Sequence, residues 1–189
     1  MKQLQKRILS DGKILAGNVI KVDGFINHQL DIPLINEMGK EFQQRFSDVK
    51  IDKILTIEAS GIAIAAITAQ YFNVPVVFAK KTEGMMTPID VYASNVHSFT
   101  KDKTSRIQVS KQFIKEGENI LIIDDFLANA QAVLGLLDII TQGGAHCVGV
   151  GIVIEKGFQE GGRILKERGL NLQSLVVIDA IEDGKFTFR

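Results

Sequence analysis

The chain of 189 residues has one cysteine, Cys147, so no disulfide can form within it, and no metal-ligand cluster surrounds that thiol. Cys147 lies in an apolar stretch and is expected to be buried. No apolar run reaches the length of a bilayer crossing, and Met1-Lys2-Gln3-Leu4-Gln5-Lys6-Arg7 lacks the apolar core of a signal peptide. A reducing cytoplasm is the expected compartment, with no membrane partner. An excess charge of one sign is also missing: 22 basic residues offset 22 acidic ones, which removes any overall pull toward nucleic acid. Several phosphate-binding and nucleophile signatures are absent as well. There is no Gly-x-x-x-x-Gly-Lys-Ser/Thr, no Gly-x-Gly-x-x-Gly after a strand and no Gly-x-Ser-x-Gly. These gaps argue against a P-loop NTPase, a dinucleotide fold and an α/β-hydrolase elbow. The three histidines, His28, His97 and His146, are scattered and form no motif.

What is present suits one soluble domain over residues 1–189, with 46% hydrophobic and 23% charged residues and enough length to bury a core. No internal repeat, heptad or low-complexity tract interrupts it. Residues Met1 to Leu9 can form a short amphipathic helix with Leu4, Ile8 and Leu9 on one side, broken by Ser10-Asp11-Gly12. The glycine-bounded stretch from Gly17 to Gln29 fits either a short strand pair or an ordered flap. Asp31 as N-cap and Pro33 in the first turn predict a helix over Leu34–Phe46.

Strands and helices then alternate. Strands are predicted at Ile51–Ile57, Pro75–Ala79, Ile120–Ile123, Cys147–Ile154 and Ser174–Ile181. Helices are predicted from Ile62 to Phe72, after Gln131 to Thr141, and over Gln159–Arg168. That order implies an α/β fold: a doubly wound, largely parallel sheet with helices on both faces. One segment breaks the rhythm. From Lys80 to Arg106 polar and small residues dominate, which predicts a long lid loop, although Asp90–Ala93 and Ile107–Val109 alternate well enough for a β-ribbon.

The stretch Asn119–Val133 carries the most chemistry. Ile120-Leu121-Ile122-Ile123 reads as a strand buried on both faces, ended by Asp124 and Asp125. Ala128-Asn129-Ala130 then leads into a helix whose free N–H groups and positive dipole end suit a phosphate. An aspartate after a strand is commonly a helix cap or a solvated loop residue. Two in succession before a small-residue loop favour a ligand site. In open α/β sheets ligands gather at the carboxyl ends of strands. Those ends here also carry Glu58-Ala59-Ser60-Gly61, Lys80-Lys81 and Glu155-Lys156: a second small-residue loop, cations for phosphates, and acids for sugar hydroxyls.

The sequence from Ile120 through Ala132 resembles the signature of the type I phosphoribosyltransferases, which use 5-phosphoribosyl-1-pyrophosphate (PRPP). The resemblance extends over the whole chain, since Glu58–Gly61 falls at that family's pyrophosphate loop and residues 80–106 at its mobile catalytic loop. It implies that Asp124 and Asp125 are catalytic and hold the ribose hydroxyls. Ala128, Asn129, Ala130, Gln131 and Ala132 would cradle the 5′-phosphate. Ala59, Ser60 and Gly61 would hold pyrophosphate, with Lys80 or Lys81 adding charge. Mg²⁺ is the implied cofactor, held through pyrophosphate rather than by direct protein ligands. The resemblance also makes about residues 1–32 an N-terminal base-binding flap, and within the family that flap and Glu155–Phe158 look most like the branch that acts on xanthine in purine salvage. On that likeness Ile20, Asn27 and Lys156 would bind xanthine, with Phe126 also against the ring. Taken alone, Lys156 could be a surface lysine, Asn27 a turn residue and Phe126 a core residue; the resemblance assigns them. One residue departs from the pattern. Ala130 stands where the family's loop usually has Gly, which weakens PRPP binding if the position needs a positive φ, whereas the right-handed region would accept the methyl group.

A homodimer is expected from the resemblance, with xanthine and PRPP as small-molecule partners. Two alternatives stand beside this reading: a phosphoribosyltransferase preferring guanine, hypoxanthine or adenine, and a PRPP-sensing regulator on the same fold. The regulator needs a DNA-binding module, for which about fifty residues before the first core strand and a net charge of zero leave little basis.

Overall fold

All five runs predicted as strands form neighbouring parallel strands of one sheet. The computed structural model describes residues 1–15, 19–82, 90–98 and 103–189, apart from the side chains of Val19, Ser98 and Lys103. In chain order the elements are α1 (Lys2–Asp11), β1 (Lys13–Leu15), β2 (Val19–Lys21), α2 (Ile32–Arg45), β3 (Lys53–Ile57), α3 (Gly61–Phe72), β4 (Val76–Thr82), β5 (Val91–Ser98) and β6 (Lys103–Ser110). Then follow β7 (Asn119–Leu127), α4 (Gln131–Gln142), β8 (His146–Lys156), α5 (Gly161–Glu167), β9 (Leu172–Glu182) and β10 (Lys185–Phe188). The main sheet has eight strands in the order β10-β9-β8-β7-β3-β4-β6-β5. Its central strands β9, β8, β7, β3 and β4 run parallel. The edges are antiparallel, through β10 on β9 and the β5–β6 ribbon on β4.

Helices cover both faces, as the alternation predicts. On one face Met38 and Phe42 of α2 and Ile64 and Ala65 of α3 pack in the same core as Leu121 and Ile123 of β7; Leu4 and Ile8 of α1 join them. On the other, Val133, Leu136 and Ile139 of α4 and Leu165 of α5 pack with Ile120 and Ile122. The period of two along β7 thus sends alternate residues into the two cores. The N-terminal residues are part of this packing. β1 and β2 pair as a hairpin, a single π turn spans Asp23–Asn27, and Phe25 and Ile26 are fully buried. Asp31 caps α2 by accepting from the Leu34 amide at 3.1 Å, as its position before Pro33 suggests.

Five expectations are corrected. β7 does not stop at the acidic pair but continues to Leu127, because β8 offers ladder partners as far as Glu155. The stretch 80–106 is not one loop: apart from Asp90, its described residues belong to β4 and to the β5–β6 ribbon that its alternation allows, while residues 83–89 and 99–102 of the expected lid lie outside the described residues. A tenth strand, β10, pairs back on β9 through a turn at Asp183-Gly184. Leu9 of α1 is 60% exposed, so the buried face of that helix is Leu4 and Ile8 alone. Cys147 is half-buried, and removal from water pushes its thiol up to about 11.

Candidate active site

β3 is followed in sequence by β4 on one side, while β7 lies on its other side, so the chain reverses direction across the sheet between β3 and β7. This is the switch point where two loops diverge and leave a crevice. The loop after β3 runs through Glu58, Ala59 and Ser60 into α3; the loop after β7 runs through Ala128, Asn129 and Ala130 into α4. Both helix N-termini therefore face one cavity of about 510 Å³. Its lining unites the sequence-assigned residues Ala59, Ser60, Gly61, Lys81, Asp124 and Asp125 with the whole run from Ala128 to Ala132.

The two aspartates differ in setting. Asp124 is 4% exposed, and Asp125 is half-buried. Oδ1 of Asp124 accepts the Asp125 amide at 3.0 Å, and Oδ1 of Asp125 accepts the Phe126 amide at 3.0 Å. Burial, then the neighbouring Asp125 charge, raises the Asp124 carboxyl well above the usual carboxylate range; the Asp125 amide and the more distant Lys81 oppose this.

The pair Lys80-Lys81 is resolved by strand alternation. Lys81 lines the cavity, whereas the Lys80 Nζ sits 5.9 Å from the centroid of the exposed Phe78 ring. The Lys81 amide donates to Glu58 Oε1 at 2.6 Å, tying the first loop to β4. Glu58 also lines the cavity, as do Thr82, Val96, His97 and Ser105 from β4 and the ribbon. These four were missed. The alternation around Asp90–Ala93 and Ile107–Val109 signals a ribbon, but only the pairing of β6 with β4 brings it over the crevice.

The phosphate-type loop is held from outside. Ala128 O accepts the Gly161 amide at 2.8 Å, and a Cβ on Gly161 would lie only 2.3 Å from that oxygen, so glycine at the start of α5 permits the contact. Ala130 precedes α4 with φ 62° and ψ 3°. It is therefore in the left-handed region, not the right-handed one that would accept its methyl group freely. Its side chain is 3% exposed within the α4-side core.

The three residues assigned to the base do not line this cavity. Lys156 lies beside it: its Nζ is 5.9 Å from the ring centroid of Phe126, which does line it, and burial lowers the lysine's affinity for its proton. Ile20, paired with Ile14 in the hairpin, is buried in the same core against which Phe126 packs. Asn27 ends the π turn and is exposed. Among the described residues no three His, Cys, Asp or Glu side chains come together as a metal cage.

The description "phosphoribosyl transferase domain" matches residues 29–178 of the chain. Xanthine phosphoribosyltransferase 1 of Clostridium perfringens is 57% identical over 190 residues, covering 100% of both chains. Xanthine phosphoribosyltransferase of Clostridioides difficile is 56% identical, again over 100% of both. Among solved structures, the APRTase from Giardia lamblia complexed with 9-deazaadenine superposes with a TM-score of 0.80 at 18% identity, covering 94% of this chain and 98% of that one. The adenine phosphoribosyltransferase from Rhodothermus marinus gives a TM-score of 0.76 at 16% identity, over 94% and 100% of the respective chains. At such identities the structural likeness speaks for the fold alone.

Proposed function

Because this chain belongs to the phosphoribosyl transferase domain family, we propose that it transfers the 5-phosphoribosyl group of PRPP to xanthine, giving xanthosine 5′-monophosphate and pyrophosphate in purine salvage. The observation that carries this reading is the meeting, in one cavity, of an aspartate pair with two amide-bearing loops at helix N-termini. Relatives that match along their full length and carry xanthine in their names support the choice of base.

In this reading Asp124 and Asp125 accept hydrogen bonds from the ribose 2′- and 3′-hydroxyls. As pyrophosphate departs, C1′ becomes oxocarbenium-like, and the carboxylate charge stabilises it. The amides of Ala128 to Ala132 and the α4 N-terminus hold the 5′-phosphate. Ala59, Ser60 and Gly61 hold the leaving pyrophosphate, and Lys81 balances part of its charge. Mg²⁺, expected to be held through the pyrophosphate, would supply further neutralisation of the leaving group when bound. Lys156 donates to an exocyclic oxygen of the base over the Phe126 ring, while Ile20 and Asn27 complete the base site from the N-terminal hairpin and turn. Asn27 is exposed, so it reaches the base only if the turn at Asp23–Asn27 moves inward or the base lies outside the cavity described above. Residues 80–106 exclude water, which would otherwise capture the cationic sugar. In this reading the enzyme acts in the cytoplasm, and the homodimer expected from the family resemblance is checked by light scattering.

The test mixes protein, PRPP and Mg²⁺ with xanthine, guanine, hypoxanthine or adenine and follows nucleotide formation. The expected result is turnover fastest with xanthine. Turnover with adenine alone removes the choice of base, and no turnover with any base removes the reaction.

A further inference from the structure

Thr56 lies on β3 directly beneath the first loop of the site, and none of the assignments above uses it. Its side chain is fully buried, and Oγ1 finds no hydrogen-bond partner in the protein. A hydroxyl left so is costly, and valine would fill the same volume without that cost. The hydroxyl is not aimed at apolar packing. It points to the place where Gly61 lacks a side chain: a Cβ there would lie 2.1 Å from Thr56 Oγ1 and 3.1 Å from Asp124 Oδ1. The two oxygens thus flank one small gap that only glycine leaves open. Asp124 Oδ1 already accepts the Asp125 amide at 3.0 Å and has capacity for a second donor.

We propose that Thr56 is a positioning residue for Asp124: when the carboxylate turns toward the gap at Gly61, Oδ1 accepts from the Thr56 hydroxyl beside the Asp125 amide, a bond that the resting geometry leaves unmade. Two donors on one oxygen fix the plane of the carboxylate and turn its other oxygen toward the sugar. The charged groups around Asp124 are Asp125 on β7, Glu58 at the end of β3 and Lys81 on β4, all lining the same cavity. Two of them are acids, so a neutral donor beneath Asp124 favours its ionised form without adding a cation that would compete for phosphate. The role rests on the assignment of Asp124 to the ribose.

The experiment compares Thr56→Val and Thr56→Ser with the unaltered protein. Thr56→Val is expected to lower kcat at least about tenfold, with the KM for xanthine within about twofold and a melting temperature equal or higher. Thr56→Ser, which keeps the hydroxyl, restores kcat to within about threefold. A ¹³C titration of the Asp124 carboxyl carbon in the ligand-free protein needs no turnover; its midpoint rises by at least about half a pH unit in Thr56→Val and not in Thr56→Ser. Unchanged kcat in Thr56→Val, equal defects in the two variants, or an unmoved Asp124 midpoint overturns the proposal. If the unaltered protein fails to turn over xanthine and PRPP, the reaction is wrong, and the carboxyl titration still judges Thr56 by itself.

Discussion

Asp124 and Asp125 are adjacent in sequence yet do different work, because strand alternation buries one and leaves the other half-exposed at the crevice. Asp125→Asn is expected to lower kcat at least about tenfold with the fold intact, since its charge matters most as the sugar becomes cationic; steady-state kinetics and circular dichroism check this. Asp124 makes a separate, pH-linked prediction. Its carboxyl is raised by burial, so the folded chain keeps that proton to a higher pH than the unfolded chain does. The associated stability is complete below the unfolded value of about 3.9 and is lost as pH rises through the folded one. At pH 7, well above the unfolded value, burying this group therefore weakens the fold, and Asp124→Asn is expected to raise the melting temperature there by about 2–4 °C for each kcal/mol recovered. The gain should vanish at pH 3, where wild-type Asp124 is neutral too. At Ala130, three effects nearly cancel. Glycine would relieve about 1–2 kcal/mol of left-handed strain, but lose about 0.8 kcal/mol of methyl burial and about 0.4–1 kcal/mol to unfolded-state entropy. Ala130→Gly should thus change stability by less than about 1 kcal/mol, measured by denaturant melts, with equal or lower KM for PRPP. The identity of Ala130 was legible in the sequence; its φ of 62° was not, because it depends on how α4 and α5 close the loop.

Among the elements, the antiparallel ribbon is where prediction from local pattern fell short. β5 lies along α4, and Gly135 is a point of close approach: a Cβ there would meet Val96 Cγ2 at 2.6 Å and Ile107 Cδ1 at 3.1 Å. Gly135→Val is expected to cost about 1–3 kcal/mol by overpacking and to raise the KM for PRPP, because the displaced wall carries Val96, His97 and Ser105 of the cavity. Denaturant melts and initial-rate kinetics measure the two effects. The buried parallel strands were plain from their β-branched runs. Ribbon residues, by contrast, are mixed in polarity, because one side packs on a helix and the other faces outward. Their place depends on the pairing of Lys80–Thr82 with Arg106–Gln108, residues far apart in the chain. The same distance effect hid β10, whose pairing with β9 is decided by the turn at Asp183-Gly184.

For the molecule as a whole, the site lies between the two packing layers, since α3 belongs to one core and α4 to the other. A ligand that touches both loops ties those layers together and binds only the folded chain. With Mg²⁺ and PRPP at 100 times the dissociation constant, stabilisation should be about 2.7 kcal/mol. For a chain of this size that is a rise in melting temperature of about 5–11 °C, read by differential scanning fluorimetry. A second tie crosses the sheet's lower end: Lys53, 6% exposed, reaches Glu118 Oε2 at 2.7 Å and the Phe113 carbonyl at 2.6 Å. Removing one partner of such a pair leaves a buried charge alone, so its loss would be felt well away from the site.

From sequence alone came the class of fold, the order of buried strands and helices, and the two small-residue loops with their acids. These rest on local periodicity and on residue types whose chemistry needs no neighbours. Tertiary structure decided which lysine of the pair enters the cavity, how far β7 runs, and that Ile20, Asn27 and Lys156 stand outside the cavity that gathers the rest. It also decided that Thr56 Oγ1 and Asp124 Oδ1 flank the same gap, at Gly61. Such facts depend on contacts between residues distant in sequence, and pattern along the chain carries no record of them.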